Sequence, residues 1–366
     1  MKKTIGFISA NYTNAAFGEL TARRTLASLP YAGRYRLIDF ILSNMVNSGI
    51  TTVGLVTPHA ARSLLDHVGV GKPWDLGRKR GGLFILPGSA YGMRAGSGKM
   101  LLRDVAQNLR FLKWEEADYV LICGSSKIYN MDYRPLIKAH EKSGKEVTFL
   151  YANVENAKPG AGLYLETDAD GCLTCAKVGG EGAGKRFMDC MVINRNFLLK
   201  CVEWYSAMEF MSLTEILVQN LKDISVGTYA FDGYLGSADS ISDFMQMNLD
   251  VLDRDICKEL FETERHIATR IQDCPPTHYK PGSSVKDSFV SAGCLIEGEV
   301  EHSVIAREVV IKPGAVVKNC VIMAGCVIEE NARLENVICD KNAVIHKGVQ
   351  MIGGAEPLVI AKDRTL

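Results

Sequence analysis

VLICGSSKIYNMDY, Val120 to Tyr133, opens with a short apolar run, Val120 to Cys123, with Glu115, Glu116 and Asp118 behind it and a Gly-Ser-Ser turn ahead. Apolar at consecutive positions and closed by a turn, the run has the pattern of a parallel strand covered on both faces. The carboxyl end of such a strand is where an open α/β sheet places its ligand. In this chain that end carries Ser125 and Ser126, two neutral hydroxyls.

Outward from this strand, short β-rich runs alternate with helical patterns from Thr4 to about Ala230. TIGFISA (Thr4 to Ala10), TTVGLV (Thr51 to Val56), GLFIL (Gly82 to Leu86), YVLIC (Tyr119 to Cys123) and VTFLYA (Val147 to Ala152) read as strands. DFILSNMVNSG reads as a helix that starts at Asp39 and has Gly49 just past its end. Lys99 to Trp114 reads as another, with Leu101, Leu102, Val105, Leu109 and Leu112 on one face. From about Ser237 a single long helix is expected, through Ile241, Phe244, Met245, Leu249 and Leu252. The alternation implies an α/β domain with a mostly parallel sheet.

Cys274-Pro275-Pro276 and Pro281-Gly282 break both helix and strand and mark a boundary. Beyond it Val285, Val290, Leu295, Val300, Ile305, Val310, Val316, Ile322, Val327, Leu334, Ile338 and Val344 recur every four to seven residues, separated by Gly, Asn, Asp and Glu. That spacing is the repeat of a left-handed parallel β-helix, each unit forming one face of a triangular coil. The expected organisation is therefore a first domain over 1–262, a linker over 263–283 and a β-helix over 284–366.

Composition excludes several classes. In 366 residues, 47% are hydrophobic, 23% are charged, and 42 Lys and Arg balance 42 Asp and Glu, so no footprint for nucleic acid or an anionic membrane is expected. No run approaches a membrane span, and TIGFISA reads as a first strand rather than a secretion signal. Eleven scattered cysteines in so large a chain suit a reducing cytoplasm. Cys172 and Cys175 have C-x-x-C spacing without a second pair to complete a zinc site, and Asp170-Gly171 beside them signals a hairpin.

GRYRLIDFILSNMVNSG, Gly33 to Gly49, together with VLICGSSKIYNMDY, resembles the bacterial ADP-glucose pyrophosphorylase family, the glucose-1-phosphate adenylyltransferases of glycogen synthesis. The resemblance covers nearly the whole chain and implies a Rossmann-like nucleotidyltransferase domain followed by the coil. The departures decide what it implies for function. The family's glycine-rich triphosphate loop falls on Asn11, Tyr12, Thr13, Asn14, Ala15 and Ala16, with no glycine and no arginine. The phosphate-binding lysine falls on Leu26, and Met100-Leu101-Leu102-Arg103 stands where a Gly-Thr-Ala-Asp stretch would cup the base. The two metal carboxylates fall on Ser126 and Ser237, the second within an Asp-Val-Gly-Thr segment of the family. Magnesium wants anionic oxygens, and two hydroxyls do not compete with water for it.

This set of losses resembles the GlgD-type subgroup, regarded as non-catalytic. It implies a regulatory subunit with degenerate positions Leu26, Ser126 and Ser237, and a hetero-oligomer, expected to be a tetramer, with a catalytic GlgC-type partner. Magnesium and ATP are then expected only in that partner. The alternatives are a weakly active transferase with relocated ligands, or a scaffold that binds a ligand without turnover. In active relatives the Gly33–Arg36 stretch carries a basic residue linked to effector binding, which makes Arg34 the first and Arg36 the second candidate contact for a sugar-phosphate or nucleotide effector. Two motifs carry less. GMRAGSGKM lacks the first glycine and the final Ser or Thr of a P-loop, although Arg94 and Lys99 suit an anion. His302 and His346 suggest a hexapeptide acyltransferase, but no extruded loop interrupts the repeats, so they read as solvated turn residues.

Overall fold

The computed structural model describes residues 2–10, 15–57, 61–88, 100–114 and 116–366. Its first strand, β1 (Thr4–Ser9), is followed by α1 (Leu37–Asn47), β2 (Thr52–Thr57), β3 (Gly82–Pro87), α2 (Leu102–Gln107) and α3 (Leu109–Trp114). Next come β4 (Tyr119–Gly124), the two-residue β5 (Lys127–Ile128), β6 (Val147–Val154), β7 (Leu163–Thr167), β8 (Leu173–Val178) and β9 (Gly184–Asn194). β10 (Val226–Phe231), β11 (Gly236–Ser237), α4 (Ile241–Leu249) and α5 (Arg254–Phe261) complete the first domain.

β4, β1, β2 and β3 lie side by side and parallel, with Ile8 opposite Cys123 on one flank and Leu55 on the other. β9 adds antiparallel to β4 and carries the β7–β8 hairpin and β6, to which β10 pairs in parallel, giving a nine-stranded sheet. Along β1, Ile5 and Phe7 enter one core with Val120 and Ile122, whereas Ile8 enters the opposite core with Leu55 and Leu121. Both faces are covered, so the strands are apolar at consecutive positions.

Three helices depart from the sequence reading. α1 begins at Leu37, so Asp39 sits in its first turn, where its carboxylate accepts the Arg36 N–H at 2.9 Å. The helix expected from Lys99 to Trp114 is broken at Asn108, whose side-chain amide donates to the carbonyls of Asp104 at 2.7 Å and Pro87 at 2.9 Å. The long helix after Ser237 is two, because Asp253 leaves helical geometry and caps α5 by accepting from the Asp255 and Ile256 N–H groups.

The coil is three five-stranded parallel sheets wound as a left-handed β-helix. It starts ahead of Ser284, since His278–Tyr279 already pairs with Leu295–Ile296 and the His278 N–H reaches the Cys294 carbonyl at 2.8 Å. On this face the interior stack is Ile296, Ile311, Ile328 and Ile345, one residue beyond the expected Leu295, Val310, Val327 and Val344. Another face buries both sides. Ile305, Ile322 and Cys339 point into the coil, while Val304, Val321 and Ile338 pack against Phe244, Met245 and Met247 of α4. Gly33 helps set this docking. It has φ +68°, and a Cβ there would lie 2.2 Å from the Ser291 Oγ and 3.2 Å from the Ile305 carbonyl oxygen. Among the described residues no helix is long and apolar enough to cross a membrane.

Candidate functional site

The ends of β4, β1 and β9 converge on the position where the sheet should hold a ligand. Ser126 and Ser237 do come together there: Ser237 pairs with Lys127 across the β5–β11 ribbon, and the Ser126 carbonyl accepts the Ala238 N–H at 2.9 Å. The same ribbon carries a buried charge. The Lys127 Nζ, its side chain only 3% exposed, is 3.1 Å from Asp239 Oδ1 and 3.8 Å from Asp189 Oδ2. Arg186, also buried, closes on the other oxygen of Asp239, and the Ser126 Oγ donates to Asp189 Oδ2 at 3.4 Å. Burial would raise the Asp239 carboxyl, but Lys127 and Arg186 outweigh it and hold the group below the usual carboxylate range. Asp189 sits in a β9 bulge at φ +51°, a left-handed conformation that aspartate tolerates. Leu26 is a core residue, buried with Ile128 and Ala238 directly beside the two ribbon strands.

Magnesium does not fit this arrangement. The serine hydroxyls carry no charge, the Ser237 Oγ has no partner, and the nearby carboxylates are already engaged by an ammonium and a guanidinium. Among the described residues no group of three or more His, Cys, Asp and Glu side chains is placed to hold a metal ion.

A second site opens between the domains. Arg34 is exposed, its guanidinium 5.0 Å over the Tyr35 ring, and Tyr35 stacks on Phe261 at 4.9 Å. Arg36 turns inward and donates to the Ser63 carbonyl at 2.6 Å and to its Oγ at 3.1 Å, and burial pulls its guanidinium down to about 10. Both line a crevice with Arg270, Arg307, His67 and Lys341. Lys341 also lines a neighbouring cavity of about 330 Å³, with Arg23, Arg24, Lys362 and Arg364 and with Glu19 and Asp340. Burial, then repulsion from Arg36 and Arg24, pushes the Lys341 ammonium down to about 8. Cations gathered this closely in partly buried space have the chemistry that a phosphorylated anion would need.

Comparison with known proteins places this geometry. Residues 17–168 match the nucleotidyl transferase family and 277–357 the GlmU-like C-terminal hexapeptide family. The chain is 31% identical over 359 residues to the glycogen biosynthesis protein GlgD of Bacillus subtilis, covering 98% of this chain and 95% of that protein. It is 32% identical over 309 residues to the GlgD of Geobacillus stearothermophilus, covering 84% and 81%. It is 34% identical over 320 residues to the glucose-1-phosphate adenylyltransferase of Thermotoga maritima, covering 85% and 75%. The chain belongs to the GlgD and glucose-1-phosphate adenylyltransferase family.

Within this GlgD-like chain, the positions of the family's glycine loop at 11–14 and the segment with Arg94 and Lys99 lie outside the described residues. His302 and His346 each face a carboxylate one coil away, Asp287 at 2.6 Å and Glu329 at 3.2 Å, on the solvent side of the coil. Sequence reasoning found both serines and both arginines but missed Lys127, Arg186, Asp189, Asp239, Arg307 and Lys341. Lys127 and Asp239 left a signal: each is a charge one or two residues from a position where the resemblance implies a carboxylate.

Proposed function

We propose that this chain is a catalytically silent, modulating subunit of a glucose-1-phosphate adenylyltransferase in bacterial glycogen synthesis. It assembles in the cytoplasm with a catalytic GlgC-type subunit, as a hetero-oligomer of tetramer type. Magnesium and ATP belong to that partner. The observation that carries the reading is the buried Lys127–Asp239 pair at the ribbon that joins Ser126 and Ser237, a neutral lattice where the resemblance implies a metal site. Transition-state charge in phosphoryl transfer is stabilised by positioned cations, and here the cations are already neutralised. What is left is a fold with an intact second domain, able to bias the partner between its conformations.

The test is co-expression with a catalytic homologue, followed by sizing and kinetics. A mixed oligomer with raised turnover or a shifted effector response is expected; co-purification with unchanged kinetics and effector curves would leave only a scaffold. The crevice favours a ligand-responsive subunit, its effector a sugar phosphate or nucleotide. Arg34→Ala should weaken the effector response of the mixed oligomer several-fold while leaving it assembled, since one exposed charge-assisted contact contributes roughly 1.5–3 kcal/mol before screening. An unchanged response removes Arg34 from the site.

The response should also depend on pH. An anion beside Lys341 raises its pKa from the free value of about 8, so above that pH binding takes up a proton and affinity falls. Titration with a sugar phosphate between pH 7 and 9.5 should show a flat affinity up to about pH 8 and a decline beyond it. Lys341→Met should abolish the decline.

A further inference from the structure

We infer that the Lys127 ammonium is a built-in replacement for the divalent cation, locking the old pocket against both metal and triphosphate. This goes beyond the silent-subunit reading, because a chain can lose turnover and still keep a pocket that metal enters.

Three observations meet at this point. The first is charge balance. Lys127 and Arg186 face Asp189 and Asp239, two cations against two carboxylates, and the pairs have side-chain exposures of 3% and 8% for the cations. Among the described residues, a pocket so neutralised offers neither the anionic oxygens a hard cation needs nor the unpaired cations a triphosphate needs. The second is position. The family's Asp-Val-Gly-Thr segment begins on Ser237, so Asp239 stands at its glycine, two residues past the lost carboxylate, while Lys127 directly follows the other lost carboxylate at Ser126. The pocket keeps one carboxylate, two residues along from Ser237, and beside Ser126 it has a cation of the opposite sign. The third is Asp189, whose left-handed backbone in the β9 bulge sets its carboxylate within reach of both Ser126 and Lys127.

The lattice joins segments that a ligand would otherwise hold. It ties the β4–β5 turn to the β9 bulge and to the residue before Ser240, the cap of α4, whose Oγ accepts the Asp243 N–H at 3.1 Å. α4 in turn packs on the coil through Phe244, Met245 and Met247. The junction is thereby kept in one arrangement whether or not metal or nucleotide is present.

The probe is Mn²⁺ alone, followed on the full chain by electron paramagnetic resonance and by melting. The native chain should bind none at micromolar metal and melt at the same temperature with and without it. Lys127→Met with Arg186→Met bares both carboxylates. This variant should gain Mn²⁺ binding on the order of tenfold or more and a melting temperature that rises with metal, because paired carboxylates are what such ions take. Lys127→Arg, which keeps the cation, should behave as the native chain does. Tight binding by the native chain overturns the inference, and so does a folded double variant that ignores Mn²⁺. If the double variant does not fold even with metal, Lys127→Met alone must show the metal-dependent rise, and its absence counts equally against the lock. Metal binding by the native chain without turnover would sink the lock and leave the silent-subunit reading standing.

Discussion

Asp340→Ala should destabilise the chain by about 3–5 kcal/mol, the range for leaving a buried charge without its partner. Arg24 comes from the first domain and Asp340 from the coil, their atoms are 2.7 Å apart, and the side chains are 8% and 2% exposed. Arg24 also donates from Nε to the Leu20 carbonyl at 2.8 Å, so it is held in place when the carboxylate is removed. A lower urea midpoint for the transition that separates the domains is the expected reading. Lys258→Ala, which breaks an exposed pair with Asp255, serves as the control and should cost within about 0.5 kcal/mol. Replacing both buried partners, Arg24→Met with Asp340→Leu, should recover most of the loss, since no orphaned charge then remains. Equal effects from the buried and the exposed pair would mean that this contact does not join the domains energetically.

The isolated chain should form no ADP-glucose from ATP, glucose 1-phosphate and magnesium. Metal clamping of a phosphoryl centre supplies several kcal/mol, and each ~1.4 kcal/mol is tenfold in rate. With Leu26 buried in the core and Lys127 spent on Asp239, turnover should lie at least on the order of a thousandfold below that of active relatives. A magnesium-dependent rate that a pocket mutation abolishes would favour a relocated active site instead.

Much of this was legible in the residues. The β-helix announced itself because its aliphatic residues recur throughout, yet the phase was one residue off along one whole face and at Val316 and Ile338 on the other two. Leu295-Ile296, Val310-Ile311, Val327-Ile328 and Val344-Ile345 are aliphatic at both positions, so alternation could not say which member points inward. The helix breaks at Asn108 and Asp253 were hidden for a different reason. Asn108 ends α2 and Asp253 starts α5, each through side-chain bonds to backbone, and an apolar period of 3.6 runs straight across them. At the pocket, two serines in place of carboxylates read as vacancies. What fills the space comes from β9 and from Asp239 just past β11, far along the chain, and only the fold brings Asp189 to Lys127 and Arg186 to Asp239. The crevice divides in the same way: Arg34 and Arg36 belong to a run that is specific to the family, whereas Arg307 and Lys341 are turn residues of the coil and gain meaning only from docking.

The most direct test of a silent but modulating subunit uses a catalytic partner whose own metal-binding aspartate has been replaced, assembled with this chain and assayed for ADP-glucose synthesis. The mixed oligomer should assemble and show no turnover, while the same chain with the intact partner alters that partner's rate. Turnover that persists with the disabled partner would place catalysis in this chain and contradict the account.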